Sequence, residues 1–214
     1  QLSGVIITSG TPSEAVAQAF IKRGTPVVLV NRTDHSSDAD TVNLDNEEGG
    51  KLAAQAFLQA GKKRLLVVRS EIPSYSSMAR TKGFLQALAP YIADGTVSAA
   101  EVACETGSYQ GGYQVAQRIL TAATQPDAVF FCMDHIACGF LDAAKQEFLM
   151  AIPEDISVIG FDDIAMASYK AYDLTTVHQS SSTMAQAAVQ ALQERLLNPD
   201  AKPSQRTIQP RLVY

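Results

Sequence analysis

The sequence predicts a doubly wound α/β fold, and three observations carry the expectation. Short runs of near-continuous Val, Ile, Leu and Phe recur along the chain, and most are followed by a helical pattern. Strands written this way, without polar alternation, are buried on both faces, which is the condition of a parallel sheet covered by helices. At 214 residues and 46% hydrophobic, the chain is long enough to bury such a core, as one large domain or two small ones.

Each element has its own signal. "GVIITS" (4–9) reads as the first strand, and a helix is expected over 12–23, with Thr11 or Ser13 as N-cap and Gly24 closing it. "PVVLVN" (26–31) is a second strand, followed by a loop rich in Asp and Ser and by "TVNLDN" (41–46). The helix at 47–61 carries acids in its first turn and Gly61 at its end, as the helix dipole and αL capping favour. The unit then repeats: strand 64–70 and helix 76–91, strand 97–104 and helix 108–123, strand 128–133 and helix 134–149. "ISVIGF" (156–161) gives way to loop, then "TTVHQS" (175–180), a helix at 182–198, and one or two short strands in "RTIQPRLVY" (206–214).

Composition narrows the function. The net charge is −5, with 17 basic residues and no dense Lys/Arg run, so this chain by itself is a poor nucleic-acid binder. It has no apolar stretch long enough to span a bilayer, so no membrane partner is expected, and "QLSGVIITSG" does not read as a signal peptide. Cys104, Cys132 and Cys138 lie in apolar surroundings without paired spacing, which fits a reducing compartment. Cys132 and Cys138 flank His135, but the spacing matches no standard zinc pattern, and no metal or cofactor is expected. The glycines of "GSYQGGYQ" (107–114) have the wrong spacing for a dinucleotide fingerprint and read instead as close backbone approach at a helix start. No nucleophile motif is present, so the chain is not expected to be an enzyme.

Open α/β sheets bind ligands outside the carboxyl ends of their strands. Asn31, Ser70, Met133 and Asp162 all follow strand ends, and Asp162 is followed by a second acid, Asp163. An acid/base pair is one reading of the two carboxylates. Adjacent residues leaving a strand diverge, however, so one is expected to face ligand and the other to hold backbone.

"PEDISVIGFDD" (153–163) resembles a signature of the effector-binding domains of the lac repressor/galactose repressor family of bacterial transcription regulators. "GVIIT", "GTPVVLVNR", "TVNLDNEEGGKLAAQAFLQAGKKRLLVV", "ARTKGFLQAL", "PDAVFFCMDHIACGFLDA", "LTTVHQS" and "PRLVY" fall in the family's order, so the resemblance covers essentially the whole chain. It implies a periplasmic-binding-protein-like fold: two doubly wound parallel-sheet subdomains, three crossovers and a sugar-sized ligand cleft between them. The crossovers are expected near 44–46, 176–178 and 203–205. That places 1–45 plus 178–203 in the N-terminal subdomain and 46–176 plus 204–214 in the C-terminal one. The family carries two further βα units and a DNA-binding helix-turn-helix ahead of "GVIIT", so the first subdomain is expected to be incomplete here and the chain unstable alone.

The resemblance also implies a pocket. Arg80 falls where the family places an arginine that reaches the effector, and its fixed donors suit vicinal hydroxyls or a carboxylate. The competing reading is a surface arginine at a helix N-terminus, where it would oppose the dipole. Asp162 matches the acid that accepts from effector hydroxyls, Asn31 a polar cleft position, and Tyr109 an aromatic against the ligand or a packed helix-start tyrosine. Gln179 reaches the ligand or bonds hinge backbone, and Ser9 contributes from the other subdomain. Met133 stands where sugar-binding members carry Asn, and Ser181 where some carry an aromatic, so one wall is expected to be less polar. Ile136, Ala137, Phe140, Leu141 and Ala144 need a buried face, and with Cys138 and the loop residues Met166, Ala167 and Tyr169 they are expected to form a homodimer interface. The implied function is a cytoplasmic regulator's effector-sensing domain, acting on operator DNA through a helix-turn-helix outside this sequence. A periplasmic solute-binding protein is the alternative.

Overall fold

The structure, a computed structural model, describes residues 2–8, 14–32, 38–72 and 74–214. Ser9 and both N-cap candidates of the first helix, Thr11 and Ser13, lie outside the described residues. In chain order the elements begin with β1 (Val5–Thr8), α1 (Glu14–Ile21), β2 (Val27–Val30), β3 (Asp40–Leu44) and α2 (Asn46–Gln59). They continue with β4 (Arg64–Ser70), α3 (Tyr75–Ala93), β5 (Ser98–Cys104), α4 (Tyr109–Leu120), β6 (Ala128–Phe131) and α5 (Asp134–Gln146). The last are β7 (Ser157–Asp162), a 3-10 turn at Ala165–Ser168, β8 (Thr175–His178), α6 (Ser181–Leu197), β9 (Gln205–Ile208) and β10 (Arg211–Val213).

The chain divides into two units, Gln1–Asp45 with Ser180–Gln209, and Asn46–Gln179 with Pro210–Tyr214. The first holds a parallel sheet in the order β1-β2-β3-β9. All four residues of β2 are buried, as its unbroken apolar run requires, and Val27 and Leu29 pack with Ile7, Ala17 and Ala39. Asp40 is buried at the start of β3. Its carboxylate accepts from Arg195 Nε at 2.8 Å and Nη2 at 3.2 Å, and from Ser204 N and Oγ, each at 2.7 Å, tying α6 and the approach to β9 onto the sheet.

The second unit holds a sheet in the order β10-β8-β7-β6-β4-β5, parallel except for β10. Its aromatic core runs through Phe57, Phe84, Phe130 and Phe161, with Phe131 against Phe140 elsewhere in the unit. The helices pair by backbone contact at glycines. A Cβ on Gly50 would meet Arg80 O at 1.9 Å, and one on Gly83 would meet Glu47 O at 1.9 Å, so α2 and α3 touch where neither tolerates a side chain. The same device joins α4 to α5: a Cβ on Gly112 would meet Ile136 O at 1.9 Å, and one on Gly139 would meet Tyr109 O at 1.9 Å. The glycines of 107–114 therefore serve close approach, as their spacing suggested.

Three expectations need correction. The segment 204–209 does not belong with the second unit: β9 pairs in parallel with β3, Val42 beside Arg206, and only Pro210–Tyr214 joins the larger sheet. "RTIQPRLVY" carries no mark of which sheet it enters, and Pro210, lacking an N–H, is where the run breaks. The middle crossing falls after Gln179, because β8 keeps His178 in register with Asp162. Third, Ile136, Ala137, Cys138 and Leu141 are buried within the unit itself, as are Phe140, Ala144 and Ala167, and they offer no surface to a partner. Helix α5 packs both on the sheet and against α4, so its apolar stripe is satisfied inside the chain. Of the expected interface, Tyr169 is exposed and Met166 is half-buried against the core.

Candidate ligand site at the carboxyl edge of the second sheet

Arg80 lies in the second turn of α3, which Ser74 caps by accepting from Ser77 N. Its side chain is buried, not spread on the surface, with the residue 5% exposed. Nε donates to Asn46 Oδ1 at 2.9 Å, and Nη1 donates to Cys132 O at 2.6 Å and to Asp162 Oδ1 at 3.2 Å. The guanidinium lies 3.5 Å over the Phe161 ring, whose π-face favours a cation. Nη2 has no partner among the described residues.

Asp162 ends β7 and Asp163 follows it, and both hold left-handed backbone, with φ of 118° and 54°. Each such non-glycine residue costs about 1–3 kcal/mol, so the surroundings must enforce the turn. Thr176 Oγ1 receives Asp163 N at 3.4 Å, and Asp134 Oδ2 receives Ile164 N at 3.0 Å. Asp134 itself is fully buried and takes Thr176 Oγ1 at 2.6 Å; burial raises its pKa. The two acids diverge. Asp163 accepts from His178 Nδ1 at 2.6 Å, whereas Asp162 Oδ1 takes both Arg80 and Gln179 Nε2, the latter at 3.1 Å.

Burial works against both members of the Arg80–Asp162 pair. It lowers the guanidinium's pKa, and it pushes Asp162 up to about 6 despite the pull of Arg80. Their contact through a single shared nitrogen, already committed to Cys132 O at 2.6 Å, leaves the carboxylate only partly compensated. Arginine remains the protonated partner, since its ordinary value lies far above neutrality. Among the described residues Gln179 Oε1 is buried without a hydrogen-bond partner, and Asp162 Oδ2 takes no bond from them. The edge therefore presents two acceptors and one donor group that make no bond to the described residues, which a small polyol satisfies and an apolar molecule does not.

The structure brings together Arg80, Asp162 and Gln179 among the expected residues, and it adds Asn46, Phe161 and His178. Asn46 was hidden because it read as the end of a strand run rather than the start of α2. Phe161 read as core, and it is core, with a cation on its face. Met133 caps α5 without a side-chain bond, and its thioether fills the space above Gly107, where a Cβ would meet its methyl at 2.5 Å. Tyr109 donates to Asp142 at 2.6 Å, beside Tyr172, which donates to the same oxygen at 3.0 Å; its hydroxyl turns to α5, not to Arg80. Asn31 lies in the first unit with φ of 52°, and its Oδ1 accepts Leu44 N at 3.0 Å. Among the described residues no three potential metal ligands cluster, and no helix is long and apolar enough to cross a membrane.

Comparison with known proteins shows what the chain as a whole is similar to. The profile of the periplasmic binding protein-like domain matches residues 54–214. The HTH-type transcriptional repressor PurR of Mannheimia succiniciproducens is 32% identical over 191 residues, covering 88% of this chain and 55% of that protein. The ribose operon repressor of Haemophilus influenzae is 28% identical over 207 residues, covering 94% and 59%. The chain thus spans little more than half the length of these curated relatives. Among solved structures, a LacI family transcriptional regulator from Enterococcus faecalis with bound ribose superposes with a TM-score of 0.88 at 26% identity, covering 100% of this chain and 76% of that one. The class is that of open α/β ligand-binding domains. The chain belongs to the periplasmic binding protein-like domain family, in the form found in the effector-binding domains of lac repressor/galactose repressor regulators.

Proposed function

We propose that this chain is the effector-sensing domain of a bacterial transcriptional regulator and binds a small polar ligand, a sugar or related metabolite, through vicinal hydroxyls. One observation carries the reading: Arg80 Nη1 and Gln179 Nε2 meet on Asp162 Oδ1, at 3.2 and 3.1 Å, while Gln179 Oε1, Asp162 Oδ2 and Arg80 Nη2 on the same three side chains make no bond to the described residues. One hydroxyl donating to Asp162 and accepting from Arg80, with its neighbour donating to Gln179, would satisfy all three. Met133 and Tyr109 would contribute shape or further contacts rather than the main polar grip. The repressor names of the relatives support the regulator reading, and the ribose operon repressor and the ribose in the Enterococcus faecalis regulator support the sugar class. The domain would act without catalysis and in the cytoplasm, altering operator binding by a helix-turn-helix elsewhere in the full protein. A homodimer is part of the proposal, through a surface that includes Tyr169 and Met166. Sedimentation of the full-length protein tests it, and a strict monomer would sink it. Titration calorimetry with ribose, other pentoses and hexoses tests the ligand class; failure of every polyol to bind would overturn the reading.

A further inference from the structure

His178 closes β8, and its register neighbours are Asp162 on β7 and Arg211 on β10. With Asp163 they are the charged groups that flank it from the strands on either side. Its Nδ1 donates to Asp163 Oδ2 at 2.6 Å, so the imidazole grips the side chain of the second of two consecutive left-handed residues. Thr176 and Asp134 accept from the backbone N–H groups of Asp163 and Ile164, and Arg80 donates to the side chain of Asp162. The residue after His178 is Gln179, whose Nε2 reaches back to Asp162 at 3.1 Å. One residue thus sits between the strained turn that carries the acid and the side chain that completes its bonding.

We propose that His178 is a positioning residue of the ligand site, fastening the turn at 162–163 so that Asp162 and Gln179 are aimed together. It acts through Asp163 and does not itself touch ligand; the inference rests on the reading of Asp162 as a ligand contact. The donor is the ring nitrogen nearest the backbone, so an asparagine amide can replace it and a longer glutamine cannot match its reach.

The experiment compares His178→Ala, His178→Gln and His178→Asn with the unsubstituted protein by NMR titration of the Asp162 carboxyl carbon, and separately by ribose calorimetry. Freed from the turn, Asp162 becomes hydrated, and its midpoint should fall from about 6 by about half a unit or more toward the ordinary carboxylate value. That fall is expected in the alanine and glutamine variants, with recovery in asparagine. Ribose affinity should drop about tenfold in the first two and recover in the third. An Asp162 midpoint indifferent to all three changes in folded protein overturns the inference. If the alanine variant fails to fold, identical midpoints in the glutamine and asparagine variants overturn it equally. A midpoint that responds while no ribose binds leaves the positioning role standing and faults the ligand reading instead.

Discussion

At the scale of single residues, Asp162 is placed where binding and stability conflict. Its folded pKa, about 6, lies above its ordinary value of 3.8, so the native state holds the proton more tightly than the unfolded chain between those values. Stability contributed by this group is therefore greatest below about pH 4 and is lost as pH rises through about 6. Asp162→Asn mimics the protonated form and should stabilise ligand-free protein at pH 7 by at most about 3 kcal/mol, read as a raised melting temperature. The same change removes a charged acceptor and should weaken sugar binding by about 10- to 150-fold, equivalent to roughly 1.5–3 kcal/mol. A lowered melting temperature, or unchanged affinity in calorimetry, would show that the carboxylate is structural. Hydroxyl donors favour the ionised acid, so affinity should also decline as pH falls below about 6, with proton release on binding. An affinity flat between pH 5 and 7.5 would contradict this.

At the scale of elements, the two glycine crossings separate structure from site. Helices α2 and α3 carry Asn46 and Arg80, and Gly83 sets their spacing against Glu47 O. Gly83→Ala must drive the helices apart, at a cost of about 1–3 kcal/mol or more, and should also displace the guanidinium. Gly112→Ala makes the same insertion between α4 and α5 and should cost comparable stability with a much smaller loss of sugar affinity. Parallel denaturation and calorimetry on the pair would check it; equal affinity losses would mean that the site is not localised to α2 and α3. The position and type of these helices were legible in the sequence, from apolar periodicity and terminal glycines. That Gly50, Gly83, Gly112 and Gly139 mark crossings was legible only for the cluster at 107–114, because an isolated glycine in a helix does not say which neighbour approaches it.

At the scale of the molecule, the two units rest on different interactions. The larger has a continuous aromatic core; the smaller hangs much of its closure on the buried Asp40–Arg195–Ser204 cluster. Burial alone would raise the Asp40 pKa, but Arg195 and Ser204 outweigh it and hold the acid below its ordinary value. A depressed carboxylate stabilises above its unfolded value, and that contribution is lost as pH falls below about 4. Asp40→Ala should destabilise the first unit by about 3–5 kcal/mol, since it strands a largely buried arginine. Hydrogen exchange should show lost protection in β2, β3 and β9 while β4, β6 and β7 keep theirs. Uniform loss across both units would refute the division of labour.

The sequence by itself determined the class of fold and the order of its strands and helices, and the family signature singled out Arg80 and Asp162, which the structure brings together at one sheet edge. Apolar runs, capping residues and a family signature are local marks, and those features follow from local marks. What only the tertiary structure decided was partnership across distance. The last strands split between two sheets at Pro210. The apolar stripe of α5 turned inward against its own sheet and α4 rather than toward a second copy. Tyr109 went to Asp142, and Asp163 found His178. A periodic pattern states that a face must be buried but not against what, and a polar side chain states what it can bond but not which partner lies within reach. Those choices belong to packing.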